Sequence, residues 1–484
     1  MDVEKIERGF HALLSLQQYT DYPVDPAELT KFKEVLTNLS GVETIRINVI
    51  DFAEKADLDP YEALRIFIYG AKVGLFQFEW NFLCPLCGGR EHSYENLNQL
   101  EKESYLCTLC DRTVEVVADS HLEISFTLNS EISGYTHNPY DSMGAYWAYH
   151  FSPSIVWPEA VQKAFDEQQD LKFFALAPGK RMKVTCGMNT MNKWRLISLD
   201  SHEICTIVME GMPDQEEKPI QIEHTTSGFD KKEIHFKSNK CTFVVKNGTS
   251  RDMGFIIGQP GNEKLVSAIE TYPPYFKPFV TGKMILNNQL FRELFLVDNL
   301  PDDLSMKIND ITLLFTDLKG STDLYDRTGD IYAYKLVKRH FKILQKIVDK
   351  HNGGIVKTMG DAIMASFNDP GNGIKAANEM LTEIELFNNE MSEVPNALGL
   401  KIGIHRGQVI AVKANQTLDY FGQTVNIAAR IQNLAGSGEI WISDDLYGDQ
   451  IKQVLIDTKL HPVSTIQANL KGVGKQIKVH QLQK

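Results

Sequence analysis

Hydrophobic residues recur at helical spacing over residues 1–80, and this pattern predicts a helical N-terminal module. Residues 3–16 place their apolar side chains on one helix face, and a second helix is predicted to start at Asp59, where a proline follows in the first turn. The alternating run of residues 75–80 then predicts a short strand. Helices followed by a strand are compatible with a winged-helix-like module over residues 1–80.

Short runs of alternating apolar and polar residues dominate residues 119–270, which predicts a central antiparallel β domain, such as a sandwich. No catalytic constellation stands out in these runs. We therefore interpret the domain as regulatory, with an unidentified small molecule or protein as its partner, or none. Prolines at both ends of residues 271–304 predict a connector that holds one short helix.

From residue 305 onward, strand and helix patterns alternate. Helical spacing covers residues 330–351 and 373–389. The strand-like residues 400–404 and 408–412 are predicted to pair with each other across the intervening His-Arg-Gly. The fold class that follows is a multidomain α+β protein whose residues 305–484 form an α+β sandwich around one mainly antiparallel sheet.

Composition and charge narrow the classes of function. The chain has 43% hydrophobic and 23% charged residues, as ordinary folded proteins do. Its formal net charge of −13, and the 14 acidic against 8 basic residues within residues 1–80, disfavour nucleic acid as a partner. No apolar run is long enough to span a membrane and no signal pattern opens the chain, so we expect a cytoplasmic protein with no membrane partner.

Four of the seven cysteines form two pairs, Cys84-x-x-Cys87 and Cys107-x-x-Cys110, with 19 residues between the pairs. Two such knuckles can offer four thiolates to one tetrahedral zinc ion, and a site with four protein ligands is structural rather than catalytic. We therefore predict a zinc ribbon over residues 81–118 with one structural Zn²⁺. The alternatives are core cysteines without a metal and a redox-active dithiol, both of which the doubled motif disfavours.

Two aspartates in the C-terminal third stand in settings that suit a metal–nucleotide site. Asp317 follows an apolar run, and Asp361 lies between two strand-like segments. A third cluster of polar residues covers residues 419–430. Together these segments resemble the catalytic domain of class III nucleotide cyclases, the family that makes cyclic AMP or cyclic GMP, over about residues 305–484. The order of all the segments also resembles bacterial soluble cyclases that have an uncharacterised N-terminal domain.

The resemblance implies a two-metal reaction, in which the ribose 3′-hydroxyl attacks the α-phosphate and pyrophosphate leaves. Asp317 and Asp361 match the family's two metal aspartates, and hard carboxylate oxygens suit two Mg²⁺ or Mn²⁺ ions. The backbone N–H groups of Gly320, Ser321 and Thr322 lead into a predicted helix N-terminus, which is a natural cradle for the phosphates of the substrate.

The resemblance also implies ATP as the substrate. Lys357 and Asp419 match the family's adenine-selecting lysine and aspartate, where guanylyl enzymes typically carry glutamate and cysteine. Asn426 and Arg430, four residues apart on one predicted helix face, match the asparagine that orients the ribose and the arginine that stabilises the reacting phosphate. Lys471 matches the lysine for the terminal phosphates, although Lys475 is close enough to take that role.

In the family, each active site lies at a dimer interface and draws on both subunits. This chain carries both residue sets, so we predict a head-to-tail homodimer with two equivalent sites. The leading interpretation is an adenylate cyclase with an N-terminal regulatory region. The alternatives are a guanylate cyclase, an inactive nucleotide-sensing module, and a transcription factor that uses the cyclase fold as a sensor.

Overall fold

The computed structural model describes the chain with several gaps. The described residues are 1–94, 104–107, 112–115, 117–167, 172–187, 192–201, 203–210, 219–237, 240–259, 263–299, 305–319, 326, 329–390, 398–414 and 417–484. The chain is a multidomain mixed α/β protein. Among the helices of these ranges, none combines the length and the apolar composition that crossing a membrane requires.

Four helices form the N-terminal part, each begun by a side chain that accepts a backbone N–H of the first turn. They are α1 Val3–Gln17, α2 Pro26–Asn38, α3 Val49–Ala56 and α4 Pro60–Lys72, capped by Asp2, Asp25, Asn48 and Asp59. Such caps satisfy N–H groups that the helix itself leaves unpaired. The two helices predicted from residues 3–16 and from Asp59 are confirmed.

The helices pack on a three-stranded sheet with the order β2-β1-β5. Its strands are β1 Phe76–Leu83, β2 Arg90–Tyr94 and β5 Leu122–Leu128, and a separate hairpin joins β3 Ser104–Cys107 to β4 Arg112–Glu115. Phe67 of α4 stacks on Phe126 of β5 with 4.9 Å between ring centroids, which ties the helices to the sheet. The winged-helix-like interpretation of this part stays a prediction.

A β sandwich follows after three short helices. The helices and the small strand between them are α5 Ser130–Ser133, α6 Met143–His150, β6 Ile155–Val156 and α7 Glu159–Asp166. One sheet has the order β13-β10-β9-β15-β7 and the other the order β12-β11-β14-β8. Their strands are β7 Lys172–Leu176, β8 Arg181–Gly187, β9 Lys193–Ser198, β10 Glu203–Met209, β11 Ile220–Thr225, β12 Gly228–Phe229, β13 Glu233–Phe236, β14 Lys240–Asn247 and β15 Met253–Gly258.

The prediction that this β domain is antiparallel throughout is wrong in two places. Strands β10 and β13 pair in parallel, and so do β11 and β14. The chain crosses from one sheet to the other after β10 and again after β12 and β13, so each returning strand runs in the same direction as its neighbour. An alternating pattern reports which face of a strand is buried and carries no information on strand direction.

The connector holds more structure than the one predicted helix. Helix α8 Glu263–Thr271 ends where the connector begins, and the connector contains β16 Tyr275–Phe276, α9 Gly282–Leu286 and α10 Gln289–Asn299. Strand β16 pairs with β6, and α9 begins where the Thr281 side chain accepts the Met284 N–H. Helices α9 and α10 follow each other with a short turn between them, directly before the C-terminal domain.

The C-terminal domain is built on an eight-stranded sheet with the order β18-β19-β17-β20-β22-β24-β23, and β21 pairs with β20 beside this path. Its strands are β17 Ser305–Lys319, β18 Gly353–Met359, β19 Ala362–Phe367, β20 Gly399–Ala414, β21 Thr417–Phe421, β22 Glu439–Ser443, β23 His461–Ala468 and β24 Ile477–Gln483. The helices are α11 Asp330–Lys350, α12 Pro370–Glu390, α13 Gln423–Gln432 and α14 Asp449–Thr458.

The prediction that residues 400–404 pair with residues 408–412 is wrong, because both belong to the continuous strand β20. This strand pairs along its length with β17, from Lys319 opposite Gly399 to Ser305 opposite Val412. A tight hairpin needs left-handed backbone at its turn, and Gly407 has no positive φ. His405, which would have been in the turn, is instead buried and bonded to the Ser443 hydroxyl at 2.7 Å.

The two faces of the C-terminal sheet pack against different parts of the chain. On one face, Leu314, Ile402 and Ile404 pack with buried residues of α11, α12 and α14. On the other face, Leu313 and Tyr420 belong to the same buried cluster as the aromatic core of the N-terminal helices. The C-terminal domain and the N-terminal region therefore share one hydrophobic core.

Candidate active site

Asp317 and Asp361 come together at one end of the C-terminal sheet. Strand β17 pairs antiparallel with β19, with Phe315 opposite Met364. Continuing this register by two residues sets Asp317 opposite Ala362, directly beside Asp361 in the turn that joins β18 to β19. Gly360 has a φ of +64° in that turn, a backbone conformation that glycine adopts without steric cost.

The environment of the two carboxylates fits a divalent cation. Asp317 Oδ2 accepts a hydrogen bond from Lys401 Nζ at 3.1 Å. Within the described ranges, the buried atom Asp361 Oδ2 has no hydrogen-bond partner. A buried carboxylate oxygen without a partner is costly, and hard oxygen donors are what Mg²⁺ and Mn²⁺ prefer. Two adjacent carboxylates with one such oxygen therefore suit a metal site.

Lys357 of β18 and Asp419 of β21 form an ion pair, with 2.6 Å between Lys357 Nζ and Asp419 Oδ2. The Asp419 carboxylate is mostly buried, at 13% exposure, whereas the lysine side chain is 38% exposed. Asp419 Oδ1 also accepts the Tyr420 N–H at 2.8 Å, which fixes the orientation of the carboxylate. The pair thus presents one fixed acceptor next to one donor.

Exposed apolar side chains surround this ion pair on the same strand faces. Met359 lies two residues after Lys357, and Phe421 lies two residues after Asp419, so each shares a face with its polar neighbour. Ile410 stands directly opposite Phe421 on β20. The exposed fraction is 40% for Met359, 54% for Phe421 and 40% for Ile410. Such exposure is unusual for large apolar residues that are grouped together.

Asn426 and Arg430 lie on helix α13, as the sequence predicted. Asn426 is exposed and Arg430 is half-buried. The Arg430 Nε atom is buried and, in the described part of the chain, has no hydrogen-bond partner. Arg430 therefore retains an unused N–H donor that a phosphate oxygen would satisfy.

Lys471 lies in the loop between β23 and β24, and this loop packs against α13. Leu470 and Val473 belong to the same hydrophobic cluster as Ile427 and Ile431 of the helix. Lys471 itself is exposed, as is Lys475. The loop that carries both candidate lysines therefore packs against the same helix that carries Asn426 and Arg430. Gly320, Ser321 and Thr322, the predicted phosphate cradle, lie outside the described residues.

Three cysteines meet in the N-terminal region. The Sγ atoms of Cys84, Cys87 and Cys107 all lie within 4.8 Å of one another, and Cys87 and Cys107 are 3.7 Å apart. All three residues are buried, and the Gly89 N–H donates to Cys87 Sγ at 3.4 Å. A backbone donor to sulfur and a tight group of soft ligands fit a zinc ion. The fourth predicted ligand, Cys110, lies outside the described residues.

Two basic residues that pair with aspartates of β17 were not predicted from the sequence, and only Lys401 lies at the site. Lys401 is the cross-strand partner of Asp317, and Arg406 makes a bidentate pair with Asp310 at 2.6 and 2.7 Å. The Arg406 hydrogen bonds hold the pKa of the Asp310 carboxyl below its usual range. The only sequence signal for Lys401 is its polar position within an alternating strand, and its partner becomes evident only from the register between β17 and β20.

Two family models match separate parts of the chain. Residues 304–484 match the family described as the adenylate and guanylate cyclase catalytic domain, so the predicted class III nucleotide cyclase domain is confirmed. Residues 11–293 match a family of unknown function, DUF5939. Neither match identifies a zinc ribbon.

The curated relatives include proteins named adenylate cyclase. An adenylate cyclase of Anabaena cylindrica is 35% identical over 136 residues, which are 26% of this chain and 27% of the relative. Putative adenylate cyclase 3 of Rhizobium meliloti is 28% identical over 135 residues, which are 28% of this chain and 22% of the relative. The chain thus spans about a quarter of the length of these relatives.

Two solved structures also resemble part of the chain. The adenylyl cyclase CyaB from P. aeruginosa has a TM-score of 0.33 and 21% identity, with 37% of this chain and 96% of that chain covered. The guanylyl cyclase Cya2 has a TM-score of 0.32 and 21% identity, with 37% and 93% covered.

Proposed function

The chain belongs to the family of unknown function DUF5939 and also carries an adenylate and guanylate cyclase catalytic domain, and on this basis we propose that it converts ATP to 3′,5′-cyclic AMP and pyrophosphate. The observation that supports this proposal most directly is the contact of 2.6 Å between Lys357 Nζ and Asp419 Oδ2. The reaction needs base recognition, metal binding, and groups that hold the ribose and the phosphates. Each of these has candidate side chains in the C-terminal domain.

Base recognition follows from the hydrogen-bonding pattern of adenine. Adenine presents an acceptor at N1 and a donor at its 6-amino group, and guanine presents the reverse at the same two positions. Lys357 donates to N1 and Asp419 accepts from the amino group in the proposed complex. GTP would set a carbonyl oxygen against the carboxylate and an N–H against the ammonium group. With Lys357 facing N1 and Asp419 facing the group at position 6, this mismatch supports ATP over GTP.

Asp317 and Asp361 are the proposed holders of two Mg²⁺ or Mn²⁺ ions. When bound, such ions lower the pKa of the attacking hydroxyl and neutralise the charge of the leaving phosphates. Before metal binding, Lys401 pairs with Asp317, and Asp361 Oδ2, which has no hydrogen-bond partner among the described residues, remains available to a cation. Asp317 lies on β17 and Asp361 lies in the turn directly before β19, the strand that pairs with β17, so the sheet limits how far the two carboxylates can separate.

Arg430, Asn426 and Lys471 complete the proposed site. Arg430 donates from its unused Nε to the phosphate that is attacked, and its charge persists at every physiological pH. Asn426, exposed on the same face of α13, orients the ribose. Lys471 or the neighbouring Lys475 binds the terminal phosphates. Together these donors stabilise the charge that develops as the phosphorus becomes pentavalent.

We further propose that two copies of the chain form a head-to-tail homodimer with two shared sites. Support comes from Met359, Ile410 and Phe421, which are exposed next to the Lys357–Asp419 pair. Apolar side chains grouped around a binding site are typical of surfaces that another subunit covers. In this arrangement the Lys357–Asp419 pair of one subunit faces Asp317 and Asp361 of the other.

For the N-terminal region, we propose one structural zinc ion bound by Cys84, Cys87, Cys107 and Cys110, and a regulatory role. The support is the buried group of three sulfur atoms and the hydrophobic core that this region shares with the catalytic domain. Movement in a shared core changes both sides of it, because protein interiors are tightly packed.

The test is an assay of the purified full chain with ATP or GTP and with Mg²⁺ or Mn²⁺, in which cyclic products are quantified. We expect cyclic AMP, a preference for ATP, and loss of at least roughly 100-fold in kcat for Asp361→Asn. Asp457→Asn, on the exposed face of α14, is the matched control and should keep wild-type activity. Cyclic GMP as the main product, or no product with either nucleotide, would contradict the proposal.

A further inference from the structure

Helix α10 lies behind the two strands that carry Lys357 and Asp419. Arg292 of this helix donates from Nη1 to the Ile355 carbonyl oxygen at 2.8 Å and from Nη2 to the Tyr420 hydroxyl at 3.1 Å. Ile355 stands two residues before Lys357 on β18, and Tyr420 directly follows Asp419 on β21. A single side chain thus connects both strands next to both members of the base-recognition pair.

The hydrogen bonding of Ile355 explains why α10 controls this part of β18. The register between β18 and β19 shifts between Ile355 and Lys357, so β18 bulges immediately before the lysine. The Ile355 N–H donates to Gln289 Oε1 at 2.9 Å, and its carbonyl accepts from Arg292. Both backbone groups of Ile355 therefore bond to α10, and the helix sets the position of the bulge.

Arg292 is itself held firmly. Its Nε donates to the Leu286 carbonyl oxygen at the end of α9 at 2.6 Å, and its guanidinium lies 5.8 Å from the centre of the Tyr420 ring. Tyr420 is 1% exposed, so its hydroxyl bonds to the arginine away from water. The planar fork of arginine can reach a carbonyl and a hydroxyl at once, which the single ammonium group of lysine cannot do in the same geometry.

The backbone before α10 also approaches β18 closely. A Cβ atom at Gly354 would lie 2.5 Å from the Asn287 carbonyl oxygen, so only glycine allows this contact. Gly354 has no positive φ, and an alanine there would be strained by the contact alone. The junction of α9 and α10 is therefore in van der Waals contact with β18 one residue before Ile355.

Helix α10 also packs against the N-terminal region. Phe291 and Phe295 pack on Phe78 of β1, with ring centroids 5.3 and 6.2 Å away. The Tyr22 hydroxyl donates to Glu293 Oε1 at 3.0 Å. A shift of the N-terminal helices or of β1 would move α10 with them.

We propose that Arg292 is a positioning residue for base recognition and that the N-terminal region acts on the active site through it. This inference rests on the proposed function, because adenine and guanine present donor and acceptor in opposite order at positions 1 and 6, and Lys357 and Asp419 must match that order. Arg292 keeps β18 and β21 at a fixed separation from behind. When α10 moves away, the two strands separate, and the donor of Lys357 and the acceptor of Asp419 no longer match adenine. ATP then binds more weakly, and the preference for ATP over GTP falls.

The experiment measures KM and kcat of the full chain for ATP and for GTP in Arg292→Met and in wild type. We expect the KM for ATP to rise roughly ten-fold with a smaller change in kcat, and the preference for ATP to fall by a similar factor. Arg292→Lys should behave like the methionine variant, because it retains the charge and loses the double contact. Gly354→Ala should produce the same pattern independently by displacing the connector.

Arg65→Met is the matched control. Arg65 Nη2 also crosses between the N-terminal region and the catalytic domain, with 3.4 Å to Asp349 Oδ2 on α11. Asp349 lies on neither β18 nor β21. If the effect of Arg292→Met came from a general loosening of the contact between the regions, Arg65→Met would change the KM for ATP and the ATP preference in the same way. If the effect is specific to base recognition, Arg65→Met keeps the wild-type preference for ATP.

The outcomes separate the two proposals. A wild-type chain that forms no cyclic nucleotide contradicts the proposed function. The same variants are then compared by equilibrium binding of ATP and GTP, and we expect Arg292→Met and Gly354→Ala to lower the preference for ATP in binding as well. A chain that binds neither nucleotide contradicts both proposals. If turnover or binding is intact and Arg292→Met and Gly354→Ala keep the wild-type preference, or lose ATP and GTP equally, the role of Arg292 is wrong.

Discussion

Lys401 Nζ lies 3.1 Å from Asp317 Oδ2, and the two residues stand directly opposite each other on β20 and β17. The lysine therefore occupies one of the two carboxylate oxygens that a divalent cation would use. Both side chains are partly exposed, at 25% and 32%, so water weakens their attraction. Metal binding at Asp317 must compete with this ion pair or share the carboxylate with it.

We expect Lys401→Met to lower the Mg²⁺ or Mn²⁺ concentration that gives half-maximal activity. Removing the competing ammonium group leaves Asp317 more available to the cation, and a partly exposed ion pair corresponds to a change of roughly two- to five-fold. The measurement is a metal titration of cyclase activity, with the rise in melting temperature on adding the metal alone as a second readout.

Lys401→Arg is the conservative control, since it retains the charge next to Asp317 and should keep the wild-type metal requirement. An unchanged or higher metal requirement in Lys401→Met would mean that the lysine does not compete with the cation. In that case, Lys401 would act on the substrate phosphates or on the fold.

Local signals predicted much of the fold. The helical spacing of residues 3–16, the helix start at Asp59, the apolar run before Asp317 and the turn at Asp361 act over a few residues, and a linear sequence contains them in full. The adjacency of Asp317 and Asp361 followed from the family resemblance. Each of these features depends on a residue and its near neighbours or on a recognised motif.

The remaining features depend on which segments meet in three dimensions. Nothing around Lys401 indicates that it faces Asp317, and nothing around Arg292 indicates that it reaches Ile355 and Tyr420. The same limit explains the wrong prediction of a hairpin around His405, where pairing with the long strand β17 keeps β20 extended. Strand direction and register are decided by tertiary contacts, and a periodic pattern does not encode them.

We expect the purified chain to contain about one zinc ion, and Cys107→Ser to lose it, because Cys107 Sγ lies within 4.8 Å of two other sulfur atoms. The measurement is the metal content by mass spectrometry, together with the melting temperature before and after chelation. Cys205→Ser, which replaces a buried cysteine of the β sandwich, is the control and should retain the zinc. A zinc-free wild-type chain, or an equal loss of zinc in both variants, would contradict the zinc site.

The buried side chain of His340 is expected to make the stability of the fold sensitive to acid. Its side chain is fully buried in α11, and neither ring nitrogen has a hydrogen-bond partner among the described residues. Burial lowers the pKa of His340 from 6.5 to about 4. Between these two values the unfolded chain binds a proton that the folded chain does not, so acid stabilises the unfolded state and stability falls as pH decreases from 6.5 towards 4.

We therefore expect His340→Leu to reduce the loss of stability between pH 7.5 and pH 5 by about 2 kcal/mol, because leucine removes the titrating group from an apolar environment. Urea unfolding of the variant and of wild type at both pH values measures the difference. The exposed His11 of α1 provides the control, since His11→Leu should keep the wild-type pH dependence. Equal pH dependence in His340→Leu and wild type would show that His340 does not set the acid sensitivity.

The contact between Lys357 and Asp419 leads to a prediction of altered base preference. Lys357→Glu combined with Asp419→Cys replaces the donor by an acceptor and the acceptor by a weak donor, which suits the N–H and the carbonyl of guanine. We expect kcat/KM for ATP to fall by roughly 100-fold or more and the preference to move towards GTP, because a buried polar group that meets the wrong partner loses its hydrogen bond and pays for desolvation. Competition between ATP and GTP in one reaction, with both cyclic products quantified, measures this directly.

The single variant Lys357→Glu separates this effect from a loss of structure. Lys357→Glu alone places two carboxylates at the site of the present contact of 2.6 Å, so it should impair both nucleotides. Adding Asp419→Cys relieves that repulsion, and activity with GTP should then rise above that of the single variant. A double variant that remains as inactive with GTP as Lys357→Glu would mean that other residues read the base, and the adenine preference would have to be sought outside this pair.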